Sequence, residues 1–150
     1  MKATFDHSVK VLLKAYLNDT LEHSNCQACA VGNLVADANN YKITIDNRLS
    51  LKVSWVGETN HWDDVFMTCC FLRRQTIKAW KYNGKSKQQI DSTGYSMNDL
   101  AKIEYAFEMA DRGITNDDWI FNGLMAVIDV LAEIHNVDLN TVKETKELFI

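Results

Sequence analysis

Residues 115–136 read TNDDWIFNGLMAVIDVLAEIHN, and this stretch decides the fold. Leu124, Val127, Ile128, Leu131 and Ile134 recur at three- and four-residue steps, which lines them along one face of a helix. Thr115 is placed to cap its start, and Asp117 and Asp118 fall in the first turn, where free amides favour negative charge. Asn136 supplies the stop.

Working toward the N-terminus, Ser96 followed by Asp99 reads as a second capped start. Leu100, Ile103, Phe107 and Ala110 then share a helical face up to a stop at Gly113. On the other side, Asp138 begins a short final helix that closes on Leu148, Phe149 and Ile150. Near the start, Val9, Leu12, Leu13, Tyr16, Leu17 and Leu21 predict a helix over 5–22, with Asp6 as its cap. A further helix is expected from about Cys26 to Ala38, rich in small residues that admit a close neighbour.

The period changes next. Tyr41, Ile43 and Ile45 alternate with polar residues, as do Leu49, Leu51, Val53 and Trp55, which predicts a β-hairpin with one buried face. Between Trp62 and Trp80 the apolar residues are too dense for period alone to separate helix from strand. The expectation there is a helix to about Arg74 and a short strand over 76–82, followed by a loop from Asn83 to Gly94. The whole reads as one globular domain over 1–150, mainly helical α+β, with about five helices packed around a small hairpin.

Composition agrees with a single packed core: 150 residues, 47% hydrophobic and 24% charged. A formal charge of -4 offers no electrostatic footprint for a phosphate backbone, so nucleic acid is not an expected partner. No apolar run approaches membrane-spanning length, and the opening MKATFDHSVK lacks the pattern of a secretory signal, so a cytoplasmic protein is expected. There are four cysteines and no proline; Cys69 and Cys70 are adjacent, which suits reduced thiols rather than a disulfide.

Chemistry has one concentrated candidate. His23, Cys26 and Cys29 are spaced by three residues each, a pattern that serves zinc when further ligands arrive from elsewhere, here Cys69 or Cys70 and His61. The same thiols at a helix start suit a nucleophile, since free amides stabilise a thiolate. Cys29 or Cys26 would attack a carbonyl, with His61 or His23 as base and Asp63 or Asp64 as orienter. The order of a cysteine-opened helix, strands and a histidine over residues 26–64 is similar to papain-like hydrolases, which implies acyl transfer. The simplest reading of the cysteines is core packing, since a free cysteine behaves as a small hydrophobe.

Glu104, Glu108 and Asp111, Asp129 and Glu133, and Glu144 and Glu147 fall at helical steps. Glu108-Met109-Ala110-Asp111 faintly resembles the magnesium-binding helices of nucleotide pyrophosphohydrolases, while solvated helix faces account for these charges more simply. His7 and His135 stand alone and receive no role.

The phrase CQACAVGNL over 26–34, with WIFNGL over 119–124 and VIDVL over 127–131, resembles small uncharacterised proteins of bacteria and their phages. That resemblance implies an accessory factor and brings no activity. The chain therefore reads as an accessory protein acting by binding or assembly, self-associating or holding a protein partner, without a demonstrable catalytic motif or cofactor. A cysteine-dependent hydrolase or transferase and a structural zinc domain are the competing classes.

Overall fold

The computed structural model describes residues 2–23, 28–45, 51–55 and 90–150. Five helices make up its packed body: α1 (Phe5–Leu17), α2 (Ala30–Ala38), α3 (Met97–Glu108), α4 (Asn116–His135) and α5 (Leu139–Glu147). Each begins at a side chain that accepts a hydrogen bond from an otherwise unpaired amide of its first turn: Thr4, Cys29, Ser96, Thr115 and Asp138. Thr115 and Asp118 form a reciprocal capping box.

Where the sequence ran past these bounds, local geometry explains why. Thr4 rather than Asp6 caps α1, and the helix stops at Leu17 because Asp19 turns into the left-handed region at φ 56°. The second helix opens at Ala30 rather than Cys26, with the Cys29 thiol accepting from the Gly32 amide at 3.3 Å. α3 ends at Glu108, short of Gly113, which sits at φ 60° in the connection to α4.

The expected α+β class is corrected, because the domain is helical. Among the described side chains, the buried core comes from the helices and their connections. Tyr41–Ile45 and Leu51–Trp55 run antiparallel as two extended segments, and Ile43 only rests against the core's edge. Among the described residues these two segments have no third partner, and two strands alone do not make a structural layer. The expected helix and strand of 62–82 lie outside the described residues.

Packing is tightest between α3 and α4, which associate more extensively than any other pair of described helices. Leu100, Ile103 and Phe107 of α3 meet Leu124, Val127 and Leu131 of α4 in the fully buried interior. α1 packs on both α2 and α4, and α5 covers the end of α4, held by the Lys146–Asp129 ion pair at 2.8 Å. α2 is buried over its first seven residues, as expected of a helix apolar on all sides. Its Asn33 amide nitrogen reaches the carbonyls of Thr20, Ala28 and Cys29 at 3.0–3.1 Å, tying the incoming connection onto the helix.

Gly123 sets the separation of α3 and α4. A Cβ there would lie 2.7 Å from Cδ1 of Phe107 and 2.9 Å from its carbonyl oxygen, closer than real contacts allow. Gly123→Ala is expected to destabilise the protein by about 1–3 kcal/mol, the usual range for forcing a methyl into a filled core. Urea unfolding checks this, and a variant as stable as the parent contradicts the close approach.

Candidate functional site

Two side-chain constellations join elements far apart in sequence. The first starts at His23, delivered to the α3–α4 seam by a connection that the Glu22 amide hooks back to the Ala28 carbonyl at 2.9 Å. The imidazole lies flat between two rings: Phe107 on one side, with centroids 4.0 Å apart at 9°, and Trp119 on the other, 3.8 Å at 4°. Arg112 covers the outer face of Trp119 at 4.6 Å, which completes a four-layer stack.

Both imidazole edges are engaged. Nε2 lies 2.9 Å from the Trp119 carbonyl oxygen, which can only accept, so this nitrogen donates. Nδ1 faces Oε2 of Glu108 at 3.1 Å, within hydrogen-bond reach. The side chains of His23 and Glu108 are 2% and 0% exposed, so water reaches neither. Glu104, one turn earlier on α3, is also fully buried. The reading of Glu104 and Glu108 as a solvated face is thus overturned: Leu100, Glu104 and Glu108 lie at four-residue steps, on the face that also carries Phe107. Asp111, Asp129, Glu133, Glu144 and Glu147 are exposed, as expected of outer faces.

The second constellation is a chain of three hydroxyl and imidazole groups. The Ser8 hydroxyl of α1 lies 2.6 Å from the Tyr95 hydroxyl, in the segment entering α3, and that hydroxyl lies 2.8 Å from Nε2 of His135 in the last turn of α4. Ser8 and Tyr95 are buried, and His135 is half-buried with its ring edge-on to Phe5. Burial pushes the Tyr95 hydroxyl up, against the pull of its Ser8 hydrogen bond, with Asp99 adding a further rise. Burial likewise holds the His135 imidazole below its ordinary value, Asp99 opposing and Lys2 assisting. Sequence reasoning left His135 alone because its partner is forty residues away.

The candidates singled out from sequence are partly placed. Cys29 is fully buried as the α2 cap, and His23 is committed to Glu108 and Trp119. Cys26, His61, Asp63, Asp64, Cys69 and Cys70 lie outside the described residues. Among the described residues no three His, Cys, Asp or Glu side chains gather as a metal site, and no helix is long and apolar enough to cross a membrane. No protein-family model matches the chain, and the search of curated proteins and of solved structures finds none similar to it.

These geometries generate two expectations. His23→Ala removes the middle layer of the stack and one member of a buried pair, and is expected to cost about 3–5 kcal/mol, measured by denaturant unfolding. A loss below roughly 1 kcal/mol would show the pair to be dispensable. For His135, the folded protein prefers the neutral ring, so the unfolded chain takes up the proton first as pH falls. Its contribution is complete above the unfolded value of about 6.5, fades as pH drops below that, and stops falling once the folded ring is protonated too. Unfolding midpoints are therefore expected to decline between pH 7 and 5, and His135→Gln is expected to flatten part of that decline.

Proposed function

We propose that this chain is a noncatalytic binding protein that works by self-association, and that the segment from Tyr105 to Thr115 carries the contact. The observation behind this reading is Ile114, which is 97% exposed although its backbone amide is tied by a hydrogen bond. Three consecutive amides in that connection donate to carboxylates. Gly113 donates to Asp111 at 3.0 Å, and Ile114 and Thr115 both donate to Asp118 at 3.1 Å. The bonds from Ile114 and Thr115 hold the Asp118 carboxyl below the usual carboxylate range, so it is an ionised acceptor at neutral pH. Asn122 adds a bond to the Asp111 carbonyl at 2.9 Å.

Tyr105 and Met109 are exposed as well, four residues apart along the outer side of α3 and its cap. An apolar side chain on a fixed backbone loses little freedom on binding, which is what an efficient contact requires. The terminal Leu148-Phe149-Ile150 divides: Phe149 closes the body against Tyr16 at 5.9 Å, whereas Leu148 and Ile150 face solvent. A second copy of the chain is the partner favoured by this reading, since most soluble oligomers are built from identical chains.

Sedimentation equilibrium over a range of concentrations tests the proposal. The native chain is expected to associate, while Ile114→Asp with Met109→Glu is expected to sediment as a monomer and to melt as the parent does, because neither side chain supports the core. A native chain that stays monomeric at its highest soluble concentration removes this reading.

A further inference from the structure

We propose that Ser8, Tyr95 and His135 form a proton-operated clasp, a hydrogen-bond chain whose direction is set by the charge on His135 and which transmits that charge from α4 into α1. The three groups belong to three separate elements, and the contacts of 2.6 and 2.8 Å meet at a single atom, the Tyr95 hydroxyl oxygen. That hydroxyl has one hydrogen to give. When Nε2 of neutral His135 accepts, Tyr95 donates to it, and the Ser8 hydroxyl donates to Tyr95. When His135 takes a proton, Nε2 becomes a donor and can no longer accept. Tyr95 then turns its hydrogen to Ser8, and the Ser8 hydrogen needs a new acceptor.

The fold provides one. Ser8 sits in the first turns of α1, where its amide already donates to the Thr4 carbonyl at 3.2 Å. A serine hydroxyl in a helix reaches the carbonyl four residues back, so that oxygen is placed to take the freed hydrogen. No covalent bond changes, and one proton enters from solvent at the half-buried imidazole.

The surroundings of His135 suit such a role. Asp99 on α3 favours the charged ring, Lys2 in the segment before α1 opposes it, Phe5 of α1 lies edge-on to it, and Tyr95 accepts or donates at Nε2. These groups come from the elements whose mutual position the clasp fixes, namely α1, the entry to α3, and the end of α4. The Tyr95 hydroxyl joins Ser8 to His135 by hydrogen bonds on both sides, so a change of direction at His135 can pass along the chain to Ser8.

In Ser8→Ala the neutral arrangement survives, because Tyr95 still donates to His135, but the protonated arrangement leaves the buried Tyr95 hydroxyl with no acceptor. The His135 titration, followed by NMR of its ring in the full chain, is expected to move down by about one pH unit in Ser8→Ala. Ser8→Thr keeps a hydroxyl and is expected to hold the native midpoint. In the unsubstituted protein, the Tyr95 ring carbon bearing the hydroxyl is expected to titrate with the His135 midpoint, a readout that needs no variant. The proposal is overturned if His135 titrates identically in the native and Ser8→Ala proteins, or if the Tyr95 signal stays flat across that midpoint.

Discussion

The contact between Phe107 and Gly123 is the constraint on which the rest of the structure depends. Because position 123 has no side chain, the Phe107 ring and its backbone carbonyl press directly onto α4. Pinned there, Phe107 forms one wall of a slot one ring wide, and Trp119, a turn earlier on α4 than Gly123, forms the other. His23 fills that slot, so the connection leaving α1 is fixed by the same contact that pairs α3 with α4. The path then continues through Asn33, which fastens that connection to α2. One missing methyl thus fixes four of the five described helices.

Much of the helical body was legible in the sequence. α4 was read almost to the residue because its apolar positions persist over five turns and both its ends carry strong signals, Thr115 with Asp118 and then Asn136 in the left-handed region. Asp138 as a cap was equally direct. The first residue of α1 was read correctly as Phe5, but its cap was misassigned, because Thr4 and Asp6 are both good caps and only the backbone angles distinguish them. The strand pattern misled for another reason. Alternation reports that one side of a segment is apolar, and it does not say whether a layer exists for that side to cover.

The constellations were far less legible, since the hydrogen bonds that build them join groups forty or more residues apart. His23 meets Glu108 across 85 positions, and Ser8 meets Tyr95 across 87. No periodicity carries that information. A weaker signal was present, however. Glu104 lies four residues after Leu100 and three before Phe107, and Ser8 lies between Phe5 and Leu12 on the buried side of α1. A polar residue inside an apolar stripe marks a place where the interior must supply hydrogen bonds. Reading charge as an outer face hid that mark in α3.

The slot at the α3–α4 seam also limits what can occupy position 23. It demands a flat group, thin enough to lie between two rings, with hydrogens on opposite edges for a carbonyl on one side and a carboxylate on the other. Phenylalanine is flat but offers none, tryptophan offers a single donor, and asparagine lacks the breadth to cover both faces. Arginine is flat and rich in donors, yet it is not an aromatic ring and would install a permanent charge in the slot. Among the coded amino acids, histidine alone gives this junction a flat aromatic filling with a polar nitrogen on each of two edges.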